Sequence, residues 1–473
     1  MSGSRFGQAC AAGAILLSLA IAPACGRDDR PASDSGNPVA TSPRAPMTTP
    51  TGVTPPVIPA ADFAAVSQLV NDDIAAHRLP GAVVEIGHAG NVVFRQAFGS
   101  RKLDGEPGLD GSPSPAEPMT TDTIFDLASL SKPVATTAAV LQLYEHGKLG
   151  LDDPVQMYFP EFNPAADPRR ARVTLRMLLT HTSGIGGDLS REGPWGLTAA
   201  DKADGMRRAL TASLEFDPGT GFHYSDTGFI ILGALVEKIS GQPLDVYVNQ
   251  EVFAPLGMAD TRYLPALKAC GPHRILGDAI ISDVAASQRS PCPEGAWNTE
   301  LLERVAPTAH DEDTPGVNPD FGRLIRGTVH DPTARRMGGV TGSAGVFSTA
   351  ADIGKYAQAL LDRRAGRQST FPLKQSTVEL MTTPQQPASA GSDLRGLGWD
   401  IDTEHSGPRG TVFPVGSFGH VGFTGVSLWM DPGSDSYVIV LANVIHQRGG
   451  PPIVALSGEI STAVARALHL YGS

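Results

Sequence analysis

The chain has 473 residues, of which 41% are hydrophobic and 18% are charged, and its formal net charge is −12. This composition is that of a folded globular protein and excludes a fibrous or largely disordered chain. The acidic balance argues against a nucleic-acid partner, because such a partner requires a basic surface. The length is enough for two or three domains' worth of buried core.

The N-terminus has the pattern of an export signal. Arg5 supplies a thin positive region, and residues 11–24 form an apolar run that is too short to span a bilayer. The run ends in small residues followed by Cys25, as in a bacterial lipobox whose cysteine is lipidated and becomes the mature N-terminus. Ordinary signal cleavage after Ala24 is the alternative. We therefore expect residues 1–25 to be a lipoprotein-type signal peptide that directs the protein to the periplasm or cell envelope.

Residues 26–60 are rich in Pro, Ser and Thr and contain little to bury, which is typical of a flexible linker. We therefore expect the folded domain to cover residues 61–473. If the lipid anchor is present, the linker would hold this domain away from the membrane. Two cysteines remain in that domain, Cys270 and Cys292, and in an exported protein such a pair favours a disulfide. Their spacing fits no zinc motif, and we expect no metal or other cofactor.

The folded domain has strand patterns near both ends and helical patterns between them. Runs of β-branched residues joined by Ala89-Gly90-Asn91 predict a hairpin, and Thr349 to Asp352 resembles a helix-capping box. This order predicts an α+β (α/β sandwich) fold, with one antiparallel sheet built from both termini, flanking helices and a mostly helical insertion. The predicted helices are 61–78, 173–181, 229–240, 244–253, 349–361 and 453–468, the predicted strands are 82–88, 92–98, 398–402, 425–430 and 437–441, and residues 262–335 are irregular.

The most informative stretch is 123–149, a short buried segment that runs into a helix. Ser129 and Lys132 lie where that helix begins, and their three-residue spacing places hydroxyl and ammonium on one face, within hydrogen-bond reach. Pro133 suits a first helical turn and Gly147 suits a helix end. Ser-x-x-Lys is a known nucleophile motif, but a capping serine beside a solvated lysine is the alternative where it stands alone.

Two later stretches supply partners for the serine. Residues 218–228 are a glycine-rich loop before a helix and carry Tyr224 and Asp226, whereas residues 418–425 are glycine-rich, precede a predicted strand and carry His420 and Gly422. A nucleophilic serine needs a base, an orienting group and donors for the oxyanion, which such residues can provide.

Together the three stretches resemble the serine β-lactamase and penicillin-binding-protein superfamily, over roughly residues 60–470. The resemblance is to the class C-like branch that includes family VIII esterases and D-amino-acid-releasing peptidases. The matching motifs are Ser-Leu-Ser-Lys (129–132) for Ser-x-x-Lys, Tyr224-Ser225-Asp226 for Tyr-x-Asn, and His420-Val421-Gly422 for Lys-Thr-Gly, which is often His-x-Gly in this branch. The resemblance implies a β-lactamase/transpeptidase-like fold.

The resemblance also implies roles. Ser129 would be the nucleophile, with Lys132 and Tyr224 as the base system and Tyr224 as the later proton donor to the leaving group. An ammonium beside a phenol favours the phenolate, so we expect Lys132 to lower the pKa of Tyr224. The backbone N–H groups of Ser129 and Phe423 would form the oxyanion hole. His420 would line the carboxylate or leaving-group side, and a structural histidine is its alternative.

Two residues depart from the family pattern. Asp226 replaces the usual asparagine, and it can pair with Lys132 and hold it protonated, which favours Tyr224 as the base. His420 replaces the lysine that grips a β-lactam carboxylate, and a neutral histidine grips less well. Both departures favour an esterase, or a peptidase or amidase acting on peptidoglycan-like substrates, over an efficient β-lactamase. A penicillin-binding or non-catalytic wall-binding protein and a weak class C-type β-lactamase are the alternatives.

Other motifs add little chemistry. There is no Gly-x-Ser-x-Gly, which argues against an α/β-hydrolase nucleophile elbow. His181, His223 and His330 are expected to be structural. Residues 329–332 and 338–345 resemble segments of a subset of the family, and the glycines of 338–345 predict a turn beside the site, without an assigned chemical role. Gly419 and Gly422 are expected to let the backbone approach a substrate closely.

Overall fold

The computed structural model describes residues 62–276, 279–282, 292–447 and 452–473. The predicted signal peptide with Cys25 and the predicted linker lie outside the described residues, so they stay predictions. Within the described ranges, no helix is both long and apolar enough to cross a membrane.

The core of the fold is an antiparallel sheet to which both ends of the domain contribute. The first long strand, Gly81–His88, pairs with the last, Ser436–Ala442, with Val84 opposite Val440. This pairing confirms the predicted fold class and the sheet built from both termini. The eight strands follow the order Leu394–Arg395, Asp400–Asp402, Phe418–Gly422, Val426–Asp431, Ser436–Ala442, Gly81–His88, Asn91–Lys102 and Glu117–Pro118.

Helices cover both faces of this sheet because its side chains alternate between two apolar cores. Val84 and Ile86 point to the face that packs against helices Ala64–Ala75 and Ile453–Ala467. Val83 points to the opposite face, where helix Ala350–Arg364 packs. That helix begins at Thr349, whose hydroxyl accepts the N–H of Asp352, as the capping pattern predicts.

The segment between the hairpin and the C-terminal strands supplies the predicted helical insertion and several short strands. Cys270 and Cys292 are joined by a disulfide in the irregular part of this segment. The described helices not yet named are Ala138–Glu145, Val155–Tyr158, Leu175–Leu179, Lys202–Thr211, Asp226–Ser240, Leu244–Val248, Pro332–Arg336 and Gln375–Met381. The short strands are Phe125–Asp126, Arg262–Tyr263, Ala269–Cys270, His273–Leu276, Ala279–Ser282, Trp297–Asn298, Ala309–His310, Leu324–Ile325 and Val346–Ser348.

One predicted boundary is wrong at a place that matters for function. Residues 418–422 do not merely precede a strand; they form one, and they pair with Val426–Asp431. Glycine-rich sequence has a low intrinsic strand preference, which tertiary packing overrides here. A Cβ on Gly419 would collide with the Trp429 ring, so glycine lets the two strands pack at this point.

Candidate active site

The turn that carries Ser129 is built by unusual backbone geometry. Strand Phe125–Asp126 leads into a 3₁₀ turn, Ala128–Leu130, and then into a wide π-helical segment, Lys132–Thr137, that precedes helix Ala138–Glu145. Ala128 has a φ of +45°, which is uncommon for a residue with a side chain. The helix therefore starts with a tight turn that sets Ser129 apart from the regular helix.

Lys132 reaches Ser129 as the three-residue spacing predicts. Its side chain is 0% exposed, and its ammonium donates to Ser129 Oγ at 2.9 Å and to the carbonyl of Ser343 at 3.1 Å. It also forms an ion pair with Asp226. Burial disfavours the charge, but Asp226 and Tyr224 outweigh it and raise the pKa of Lys132 above its ordinary value. Lys132 is therefore protonated in the resting site.

Tyr224 lies against the other side of the lysine. Its ring centroid is 4.9 Å from Lys132 Nζ and 4.3 Å from the stacked ring of His181. The Tyr224 hydroxyl is buried and, among the described residues, has no hydrogen-bond partner of ordinary geometry. Lys132 and Ser129 nevertheless lie near the Tyr224 hydroxyl, and both favour its ionised, phenolate form.

The predicted net lowering of the Tyr224 pKa is wrong for the resting site. Burial raises this pKa, Lys132 lowers it and Asp226 raises it again, so the net direction is upward. The Asp226 carboxylate offsets the ammonium that was expected to stabilise the phenolate. Because Lys132 and Tyr224 are both protonated at rest, the base role predicted for them would require these coupled groups to lose a proton.

Asp226 is the first residue of helix Asp226–Ser240, which Ser225 caps by accepting the N–H of Gly228 at 3.1 Å. Two further carboxyl groups, absent from the sequence-based site, interact with it. Burial and Asp226 together raise the pKa of Asp188, and they raise that of Asp331 to about 7. Asp226 therefore interacts with two further carboxyl groups as well as with Lys132.

Neither of these two carboxyl groups lies in a motif that assigns it to the site. Asp188 follows a glycine pair whose carbonyls accept the hydroxyls of Ser225 and Thr227. Asp331 lies in the 329–332 segment, for which the family resemblance implies no chemistry. Its contribution comes from a tertiary contact that no spacing rule predicts.

His420 lies at the floor of the site and is 1% exposed. Its Nδ1–H donates to the carbonyl of Val421 at 2.7 Å, since a carbonyl can only accept. Its Nε2 lies 4.0 Å from the carboxylate of Asp400, which is paired with the buried Arg395. Burial lowers the pKa of His420 to about 3, so the ring is neutral, as the sequence analysis assumed. The ring lies beside Tyr224, at 6.0 Å between centroids, and not on an open wall.

The end of the same strand packs directly against the turn that carries Ser129. A Cβ on Gly422 would collide with the carbonyl of Leu127, so this glycine serves a protein contact and not only the approach of a substrate. Thr424 Oγ1 donates to the carbonyl of Asp126 at 2.7 Å. The two predicted oxyanion donors, Ser129 N–H and Phe423 N–H, thus belong to two segments in contact, and their role stays a prediction.

The histidines expected to be structural differ in how close they lie to the site. His181 accepts the N–H of Ser225 at 3.0 Å and backs the Tyr224 ring. His330 stacks on the Phe423 ring at 5.9 Å, and that ring is 73% exposed. His223 is partly exposed beside Glu215. Among the described His, Cys, Asp and Glu residues, no group of three or more could hold a metal ion.

A buried lysine bonded to a serine hydroxyl, with a tyrosine against it and strand Phe418–Gly422 alongside, defines a serine hydrolase. Comparison of the whole chain agrees with this class. The family model described as Beta-lactamase matches residues 66–451, and the chain belongs to that family.

Individual relatives carry several hydrolase names. The chain is 31% identical to N-acetylmuramyl-L-alanine amidase of Bacillus subtilis, over 80% of this chain and 80% of the relative. It is 30% identical to Esterase EstB of Burkholderia gladioli, over 85% of this chain and 96% of the relative. The solved structure of EstCE1, a hydrolase with promiscuous acyltransferase activity, shares the fold with a TM-score of 0.60 and 24% identity, covering 85% of this chain and 98% of that one.

Proposed function

We propose that this protein is an exported serine hydrolase that cleaves ester or amide bonds through an acyl-enzyme on Ser129. A carboxylesterase or a peptidase or amidase for peptidoglycan-like substrates is the activity that the site favours. The observation that carries the proposal is the 2.9 Å bond between the buried Lys132 ammonium and Ser129 Oγ, with Asp226 as the counter-ion of that ammonium.

The geometry suggests how the residues divide the reaction. Ser129 Oγ attacks the carbonyl carbon while the deprotonated Lys132–Tyr224 system takes its proton, with the Tyr224 oxygen as the acceptor. The N–H groups of Ser129 and Phe423 hold the negative oxygen of the tetrahedral intermediate. Tyr224 then returns the proton to the departing alcohol or amine, and the acyl group stays on Ser129. Water, activated by the same base, releases the acid and restores the serine.

The charges of the site support an uncharged acyl donor. Lys132 is paired with Asp226, Arg395 is paired with Asp400, and burial keeps His420 neutral. None of these groups is well suited to bind the carboxylate of a β-lactam. The exposed ring of Phe423, next to a predicted oxyanion donor, offers an apolar surface for an acyl chain. The esterase and amidase names among the relatives support the same range of substrates.

The proposed location rests on the N-terminal sequence. The apolar run at 11–24 and the cysteine at 25 favour export and lipidation, and the linker would then hold the hydrolase off the membrane. Metabolic labelling with a fatty-acid analogue should modify the full-length chain, whereas Cys25→Ser should abolish the label. A soluble, unlabelled wild type would favour ordinary cleavage after Ala24.

A substrate panel tests the activity. Short-chain p-nitrophenyl esters, D-Ala-D-Ala peptides, muramyl peptide amides and nitrocefin would be assayed with the wild type and with Ser129→Ala. Ser112→Ala, in an exposed loop, is the matched control and should keep full activity. Ester turnover that Ser129→Ala abolishes, with a trapped acyl group on Ser129 by mass spectrometry, supports the proposal. Undiminished turnover in Ser129→Ala would overturn it.

The same panel separates the alternatives. A fluorescent penicillin that acylates Ser129 without turnover, in the absence of esterase or amidase activity, would favour a penicillin-binding role. Nitrocefin hydrolysis that exceeds ester hydrolysis would favour a β-lactamase.

A further inference from the structure

Asp126 is bonded to three separate segments that meet at Ser129. Its carboxylate accepts the N–H of Ala128 on one oxygen at 2.9 Å and the N–H of His330 on the other at 2.7 Å. Its backbone carbonyl accepts the hydroxyl of Thr424 at 2.7 Å. The side chain is almost fully buried.

The bond to Ala128 acts on the nucleophile. Ala128 directly precedes Ser129 and holds the left-handed φ of +45°, a conformation that residues with a side chain adopt only where their surroundings impose it. An aspartate that accepts the N–H two residues further on stabilises such a turn. By holding the backbone of this turn, Asp126 therefore orients the Ser129 side chain.

The other two bonds act on the predicted oxyanion loop. Thr424 follows Phe423, so the bond from its hydroxyl to the carbonyl of Asp126 anchors the loop that carries the Phe423 N–H. The carboxylate also holds His330, whose ring stacks on Phe423 at 5.9 Å. Asp126 thus holds the Phe423 loop in two ways: through the hydroxyl of Thr424, and through His330, whose ring packs on the Phe423 ring.

We propose that Asp126 is a positioning residue, which holds the Ser129 turn and the Phe423 loop in the mutual geometry that acyl transfer requires. The inference rests on the proposed function and extends it to a residue that does not touch the substrate. An ionised carboxylate is needed, because the two N–H donors approach different oxygens. A protonated acid or an amide keeps only one carbonyl-type acceptor.

The surroundings of Asp126 make its ionisation a useful readout. Burial raises its pKa to about 6, while the two N–H donors and the Arg335 guanidinium lower it. Nearby titratable groups include His330, whose own pKa burial lowers to about 4, Asp311, which pairs with Arg335, and Asp331 on the loop that Asp126 holds. Protonation below about 6 would remove one acceptor and loosen the arrangement.

The test compares Asp126→Asn, which keeps the size of the side chain, with the wild type. Asp110→Asn is the matched control, since Asp110 accepts the N–H of Ser112 at 2.9 Å in the same kind of turn on an exposed loop. Asp126→Asn should lose about 100-fold in kcat on p-nitrophenyl acetate with little change in KM, because misplaced reacting groups cost that much. It should also lack the additional loss of activity below about pH 6 that protonation of Asp126 causes in the wild type. Asp110→Asn should match the wild type.

The rate at which a fluorophosphonate labels Ser129 separates this inference from the proposed function. A wild type that neither hydrolyses esters nor reacts with the probe would show that the proposed function is wrong. A reactive wild type with a folded Asp126→Asn that is labelled and turns over at the same rate would overturn the positioning role. If Asp126→Asn loses activity only in proportion to its unfolded fraction by circular dichroism, the role is also overturned.

Discussion

Replacing Asp226 with asparagine restores the residue type usual in the family and removes the carboxylate that pairs with Lys132. In the wild type this carboxylate raises the pKa of both Lys132 and Tyr224. The reactive form of the site is the one in which these groups have lost a proton. Asp226→Asn should therefore populate that form at lower pH, and the acid limb of kcat/KM should move downward.

The size of the shift follows from the charges. At about 4 Å and an effective dielectric constant of about 20, two unit charges interact by about 4 kcal/mol, or about 3 pKa units. The Asp226 side chain is 22% exposed, and Asp188 and Asp331 remain nearby. Solvent screening and these carboxyl groups reduce the expected shift to about 1 to 2 units. The loss of stability stays moderate, because Lys132 can release its proton instead of staying buried and charged without a partner.

The assay is the pH dependence of kcat/KM for p-nitrophenyl acetate, corrected for hydrolysis without enzyme. Asp152→Asn is the control, because it removes a carboxylate from a surface pair with Arg176 without entering the site. Its profile should overlay that of the wild type. If folded Asp226→Asn keeps the acid limb of the wild type, then Asp226 does not set the charge of Lys132 and Tyr224, and the argument fails.

Three further changes test other parts of the structure. His420 is buried and neutral with a pKa of about 3, against about 6.5 in the unfolded chain, so the protein should lose stability as the pH falls between these values. His420→Gln should make Tm less dependent on pH in that window, and a dependence equal to that of the wild type would contradict this. Phe423→Ala should lower kcat/KM for p-nitrophenyl butyrate about 15-fold more than for the acetate, because butyrate has two more methylenes and each contributes about 0.8 kcal/mol when buried. Equal losses would exclude an acyl-chain contact. Replacing Cys270 and Cys292, which are 22 residues apart, with serine should lower the free energy of unfolding by about 3 kcal/mol and remove the effect of reductant on Tm. An unchanged Tm would contradict a stabilising bridge.

Much of the fold was predictable because its signals are local. The hairpin around Gly90 and the cap at Thr349 depend on residues within a few positions of each other. The same holds for Ser129 and Lys132, since one turn of helix is enough to bring them together. The sheet built from both termini followed from where the strand patterns fall along the chain. Features of this kind need no knowledge of tertiary contacts.

The missing parts depend on contacts between distant segments. Asp188 and Asp331 reach Asp226 from loops on either side of it in sequence. The direction of the Tyr224 shift depends on burial, which the sequence does not provide. Asp126 could not be singled out from the sequence, because its partners His330 and Thr424 lie far along the chain.

The balance of charge at the site connects these findings to substrate choice. Lys132 and Arg395 are both buried, and each already has a carboxylate partner, Asp226 and Asp400 respectively. A substrate carboxylate that binds either of these two cations must displace its partner, and breaking a buried pair leaves an uncompensated charge behind. An uncharged ester or an internal amide incurs no such cost. Under the proposed mechanism, the departure at Asp226 would therefore favour neutral acyl donors at Ser129 as well as set the charge of the base.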